Sequence, residues 1–192
     1  PYDSLRERPT RDLLHAAGRL PFGDTLDVFV VHFPSRRGGA TISEPYRLRA
    51  AGILRHLADS IPRCRHTPRL LAMGDFNDEP HNASVSRVLA PTFAELTSHA
   101  TPLPAEGHDD IEGSYYFRGE WSRIDQILVS PSLLSPTMKF HTTPQSVHLL
   151  AFPPLLEPLG RGTLSKPFRT YLGPFYHGGI SDHLPLCVDF SY

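Results

Sequence analysis

Four short stretches of this chain carry side chains able to do acid–base, metal or phosphate chemistry. VVHFPSRRGG (30–39) holds His32, Arg36 and Arg37. LLAMGDFNDEP (70–80) runs from an apolar segment straight into Asp75, Asn77, Asp78 and Glu79. SRIDQILVS (122–130) carries Asp125, and GGISDHLPL (178–186) carries Asp182 and His183. Hydrolysis of a phosphodiester needs a water nucleophile, a base, charge neutralisation on phosphate and help for the leaving oxygen. A hard cation such as Mg2+ takes one or two carboxylates and keeps several waters, which Asp75 and Asp182 could supply. A His paired with an Asp is an oriented acid or base near neutral pH, and Asp125 with His183 could form that pair. Asn77 could hold a water or a phosphate oxygen, and Arg36 and Arg37 could grip phosphate oxygens.

Each stretch alone has a plain alternative. The acidic run could be a polar turn, His32 a hydrogen-bonded core residue, and Asp182–His183 a surface pair. Asp125 resists that treatment, because it lies between Ile124 and Ile127 and a carboxylate buried without a partner is costly. The chain has neither a G-x-S-x-G elbow nor a P-loop.

All four stretches sit at strand ends, where a rigid sheet holds loops in place. Residues 10–20 and 24–33 read as strands joined by a tight turn. Residues 44–61 repeat apolar side chains at helical spacing, with Ser43 as N-cap and Pro62 just beyond the end. A strand over 69–73 and a short helix around 83–89, capped by Asn82, follow. Residues 97–113 read as loop, and SYYF (114–117) pairs with 122–130 through RGEW as a hairpin. A strand is expected within 139–150, a long Pro/Gly-rich loop over 151–181, and a last core strand, containing Cys187, over 184–190. This order predicts a sheet-rich α/β or α+β layered fold.

At 192 residues, with 40% apolar and 20% charged content, the chain suits one soluble globular domain. No apolar run approaches a membrane span, no signal peptide is visible, and the compartment stays open, secreted and periplasmic included. The net charge of −1 hides an asymmetry. Residues 1–70 hold 12 Lys/Arg against 7 Asp/Glu, and residues 71–192 hold 7 against 13. A basic half meeting an acidic half could build a cleft for both a cation and an anionic substrate. The near-neutral total speaks against a protein that wraps long duplex DNA. Cys64 and Cys187 have no zinc or redox spacing.

Taken in order, HFPSRRGG, GDFND, GSYYFRGEWSRIDQILVS and SDHLPL resemble the motifs of the endonuclease/exonuclease/phosphatase superfamily, the deoxyribonuclease I-like fold. Bacterial members with an N-H-[WF]-P-S-R-R-G-G signature are the nearest in pattern. The resemblance runs from about residue 10 to the C-terminus. It implies a four-layer sandwich, two sheets face to face with helices outside, and divalent-metal phosphoester hydrolysis as a phosphodiesterase or nuclease. Mg2+ is the implied cofactor, with Mn2+ or Ca2+ as alternatives. His32 resembles the first active-site histidine, and Asp75 and Asn77 the pair that orients water and phosphate. Asp125 resembles the carboxylate behind the second histidine, His183, and Asp182 a metal-site ligand. Arg36 is a phosphate contact by analogy. The substrate could be nucleic acid, a lipid head group or a phosphorylated small molecule.

Family members also carry an N-terminal half with an early Asn and a metal-binding Glu, and neither motif is found before residue 10. The resemblance thus makes residues 1–192 one domain lacking its N-terminal part, with that part expected as a separate chain, a cleaved segment or a disordered one. A non-catalytic fragment or binding module is the competing reading. Among other candidates, Asp109 and Asp110 could be a second cation site or a solvated loop. Tyr115, Tyr116 and Trp121 could stack bases or pack across a hairpin. His177 lies close in sequence to SDH. Asp78 and Glu79 read as turn and surface residues.

Overall fold

The computed structural model describes residues 11–61, 65, 67–104, 110–159 and 164–192. Cys64, Pro62 and Asp109 lie outside the described residues. The strands are β1 (Leu14–Arg19), β2 (Thr25–His32), β3 (Arg69–Asp75), β4 (Ala94–Glu95), β5 (Thr101–Leu103), β6 (Tyr115–Phe117) and β7 (Glu120–Ser122). They continue with β8 (Asp125–Val129), β9 (Val147–Leu150), β10 (Leu156–Pro158), β11 (Ser165–Pro167), β12 (Tyr171–Leu172), β13 (Phe175–Tyr176) and β14 (Leu186–Val188). The helix α1 spans Ala40–Ser60, and a short π-helix spans Ser84–Leu89.

A five-stranded sheet has the order β1-β2-β3-β8-β4, and a three-stranded sheet the order β14-β9-β5. Alternation along the strands divides the apolar side chains between two cores. Phe29, Val31, Leu70, Ala72 and Leu128 pack against Leu54 and Ala58 of α1 and Val85 and Leu89 of the π-helix. Leu71, Ile127 and Val129 face the other way and meet Val147 and Leu149 of the second sheet. The result is two sheets face to face with helices outside the larger one, in line with the layered fold expected from sequence.

Several local expectations are corrected. The helix starts at Ala40, four residues before the expected start, and Ser43 is not its cap. The Ser43 hydroxyl donates back to the Gly39 carbonyl (2.7 Å) and accepts from Arg47 (2.7 Å), which ties both into the first turns. The buried stripe of α1 is Ser43, Arg47, Ala51, Leu54 and Ala58, so Ile53 and Leu57 of the apolar pattern stay exposed. Arg47 is buried because its Nε lies 2.7 Å from Asp78 Oδ1. Asp78, expected on the surface, is therefore buried, and its other oxygen accepts from Ser84 (2.7 Å). A buried pair of this kind pins α1 to the GDFND loop, and breaking it by removing one partner costs about 3–5 kcal/mol.

The Asn82 side chain does not cap the short helix; it accepts from the Glu79 amide (2.7 Å) and from Arg36 (3.0 Å). Residues 97–113 are not simply loop, since β5 pairs in parallel with β9. The partner of β6 is β7, and β8 instead leaves the hairpin to pair antiparallel with β3. Arg123 marks that departure, with its guanidinium held by the carbonyls of Glu112, Thr97 and Ser98. The long loop over 151–181 contains two small hairpins, β10–β11 and β12–β13. Cys187 lies in β14 at the edge of its sheet and is only partly buried.

Candidate active site

Register across the larger sheet assembles the site. His32 is the Cα partner of Asp75 in the parallel β2–β3 pair, and Asp75 is the partner of Asp125 in the antiparallel β3–β8 pair. Three chemically capable residues thus stand in one row across three strands. Directly paired residues share a face of the sheet, so the row presents its side chains together. Gly74 makes the row possible. Its φ is +133°, and a Cβ there would collide with the Val31 carbonyl of β2.

The first half of the row is the His32–Asp75 pair, with Nε2 3.3 Å from Oδ2. Asp75 Oδ1 accepts from the Asn77 amide (2.8 Å), and Oδ2 from the Asn77 side chain (3.1 Å). The same Asn77 nitrogen donates to the Phe33 carbonyl (3.1 Å), which leaves Oδ1 as the side chain's acceptor. Asn77 has a φ of +50°, a left-handed conformation that Asn tolerates better than most residues. Arg36 holds this turn from outside, its Nε donating to the Asn77 carbonyl (2.7 Å) and Nη2 to Asn82 (3.0 Å). Burial lowers the His32 pKa, with the positive charges of Arg11 and His183 adding to it and Asp75 opposing. Burial raises the Asp75 pKa, and the neighbouring Asp125 charge raises it further.

The second half is tighter. His183 Nδ1 lies 2.7 Å from Asp125 Oδ2, and the same oxygen accepts a short hydrogen bond from the Ser114 hydroxyl. Ser114 is buried, and its carbonyl accepts from the Leu184 amide (2.7 Å), next to His183. Gly113 lets the segment approach β7, because a Cβ there would collide with the Ser122 backbone. The Tyr115 ring lies 4.8 Å from that of His183. Burial alone would push the His183 pKa down, but the hydrogen bond and charge of Asp125, with Asp75 and Asp182, outweigh it and raise it.

Both halves open on one cleft of about 830 Å³, whose walls include His32, Arg36, Arg37, Asp75, Asn77, Asp125, Asp182 and His183. All eight residues named from sequence therefore come together. Arg37 and Asp182 are exposed there, whereas Arg36 has two donor groups engaged with Asn77 and Asn82. His177 is drawn elsewhere, its Nε2 2.7 Å from Glu157. Asp110 accepts from the Ser165 amide (3.0 Å), as a loop residue would. Sequence reading missed Ser114, Phe117 and Glu120. The signal for the last two was alternation along β6 and β7, which sends every second side chain toward the cleft.

Among the described residues no group of three or more His, Cys, Asp or Glu could enclose an ion. Asp75 and Asp125 do share a row with their carboxylate charges close enough to raise the Asp75 pKa. Two partly buried carboxylates brought together in this way suit a cation held by one or two carboxylates and several waters.

Solved structures of similar shape share this arrangement of sheets. Sphingomyelinase C from Streptomyces griseocarneus superposes with a TM-score of 0.57 at 16% identity, covering 90% of this chain and 55% of that one. The mannosyl-6-phosphatase of Bacteroides thetaiotaomicron VPI-5482 gives 0.55 at 18%, covering 88% and 52%. TDP2 from D. rerio, complexed with a single-strand DNA product, gives 0.55 at 16%, covering 94% and 61%. The chain thus spans between about half and three fifths of their lengths. At such identity the likeness shows the fold alone, and no curated protein matches the chain by sequence. The endonuclease/exonuclease/phosphatase family model, however, matches residues 3–191, nearly end to end and through every motif that builds the cleft. The chain belongs to the endonuclease/exonuclease/phosphatase family.

Proposed function

We propose that the cleft hydrolyses phosphoesters, phosphodiesters foremost, by attack of water on phosphorus. The observation that carries this reading is the row His32–Asp75–Asp125 closed by His183, two His–Asp pairs set side by side on one sheet. Asp125 accepts from His183 Nδ1 and so leaves Nε2 as the basic nitrogen. His183 Nε2 takes the proton of the attacking water, and Asn77 Oδ1 and Asp75 orient that water and the phosphate. The new P–O bond forms as the ester P–O bond breaks, and the leaving oxygen takes a proton from His32. His32 is held toward neutrality in the free chain, and an anionic phosphate beside it would draw the proton on. Arg37 meets the phosphate oxygens, with Arg36 behind it bracing Asn77. A divalent cation, Mg2+ first and Mn2+ or Ca2+ next, would be held by Asp182 and Asp75 and would neutralise charge on the phosphate oxygens.

Substrates in reach of this chemistry include nucleic acid and small phosphoesters. The second reading is a binding module without turnover, favoured by the lack of an enclosing ligand group among the described residues. Under the first reading, a segment corresponding to the relatives' further length, on the same or another polypeptide, completes the metal site. Mg2+-dependent cleavage of bis-p-nitrophenyl phosphate and of plasmid DNA, with His183→Ala as control, separates the two. Activity lost in the variant supports the hydrolase. Absent activity, or activity that survives the substitution, sinks it for this chain, and intact-mass measurement of the purified protein shows whether a second polypeptide accompanies it.

A further inference from the structure

The β6–β7 hairpin has two unlike faces. Its register pairs Tyr115 with Ser122, Tyr116 with Trp121 and Phe117 with Glu120. Tyr116 and Trp121 turn away from the cleft and pack edge to face, with ring centroids 5.1 Å apart. Tyr115, Phe117, Glu120 and Ser122 form the other face, and all four line the cleft. The Tyr115 and Phe117 rings are nearly parallel, 17° apart, with centroids at 6.1 Å, and Tyr115 in turn neighbours His183 at 4.8 Å. An aromatic strip therefore leads outward from the reacting centre. Arg169 lies 5.2 Å over the Tyr115 ring and donates to the Tyr116 carbonyl (2.8 Å). Phe117 is 51% exposed and belongs to neither buried core, and the Arg118 guanidinium lies 5.2 Å over its ring. Core packing does not account for its place, and the hairpin register sets the Glu120 carboxylate opposite it.

We infer that this hairpin face is a subsite for the ester group of the substrate, and that it takes a ring carrying free hydroxyls, a sugar or a nucleoside. Flat or ring-shaped groups stack on the strip, since aromatic faces accept both bases and the C–H faces of sugars. Glu120 and Ser122 then accept hydrogen bonds from hydroxyls at the ring edge. An acyl chain would bury Glu120 without a partner, which is costly. The inference rests on the proposed reading of the cleft only in placing phosphate beside His183.

The test is equilibrium binding by calorimetry, with Ca2+ present, of four monophosphates: uridine 5′-monophosphate, glucose 6-phosphate, glycerol 3-phosphate and phosphocholine. At least one ring-bearing probe should bind about tenfold more tightly than glycerol 3-phosphate, a ratio in the range that stacking supplies. Tighter binding of the uridine probe alone identifies a nucleoside, and of the glucose probe alone a sugar. Phe117→Ala should reduce the ratio to near one. Glu120→Gln should weaken binding of the ring probes. Circular dichroism checks that both exposed substitutions leave the fold intact. Equal binding of all four probes, tightest binding of phosphocholine, a ratio that survives Phe117→Ala, or no binding at all overturns the inference. Ring preference without hydrolysis of any ester would leave the subsite standing and remove the hydrolase reading.

Discussion

The two His–Asp pairs of the cleft are built from the same residue types and behave differently. His32 sits at the end of β2, more exposed, 3.3 Å from an Asp75 whose oxygens are already shared with Asn77. His183 lies just before β14, bridged to Tyr115, 2.7 Å from an Asp125 that Ser114 also holds. Burial wins at His32 and lowers its pKa, whereas the paired carboxylate wins at His183 and raises it. The difference teaches that residue type does not assign a role here. How firmly the carboxylate is held, and how much charge surrounds the ring, makes one imidazole a strong base and the other a weak one.

The comparison is broken most directly by removing each ring in turn. His183→Ala should lower kcat for bis-p-nitrophenyl phosphate by about 10²–10⁴-fold, the range of general acid–base catalysis. His32→Ala should cost less for this substrate, because a nitrophenolate leaves without needing a proton. Equal losses would erase the distinction drawn between the two pairs.

Asp125→Asn sharpens it through pH. A raised His183 pKa means the ring is still protonated above the ordinary imidazole value of 6.5, so kcat/KM should rise with pH through a value above that. Replacing the carboxylate removes the partner of the protonated ring, so the rising limb should move to lower pH. A pH–rate profile that stays in place counts against His183 as the base.

Two smaller effects concern what stands behind each pair. Asp78→Ala strips Arg47 of its buried partner and should lower unfolding stability by about 3–5 kcal/mol in a denaturant titration. Activity should then fall with the folded fraction, since the Asn77 turn rests on the same loop. Ser114→Ala removes one hydrogen bond to the Asp125 carboxylate, worth about 1.5–3 kcal/mol when one partner is charged. It should reduce kcat more than it raises KM, and Ser114→Thr should restore part of the loss. A change in KM alone would mean that Ser114 serves substrate binding instead.

Much of the site is legible in the order of residues alone. His32, Asp75, Asn77, Asp125, Asp182 and His183 stand at the ends of apolar runs, and a folded sheet brings such ends together. The helix boundaries and the hairpin partner are less legible, for identifiable reasons. Ser43 looks like an N-cap by type, yet the helix begins at Ala40 and Ser43 lies inside its first turn, its hydroxyl donating to the Gly39 carbonyl. Asp78 looks like a surface acid because sequence does not reveal that Arg47, 31 positions earlier, reaches it from α1. SRIDQILVS looks like the return strand of a hairpin, but β7 satisfies β6 first and frees β8 for β3.

By itself, the sequence determined which chemistries the chain carries, and the order of its motifs placed it in a family. Tertiary structure decided which of those residues face one another. The row His32–Asp75–Asp125 depends on the registers of β2, β3 and β8, which come from segments far apart in sequence. A one-residue slip in either pairing would send the side chains to opposite faces. The pKa shifts of the two histidines depend in turn on burial and on charges brought near by that row. Those are properties of where side chains end up, and local sequence does not specify them.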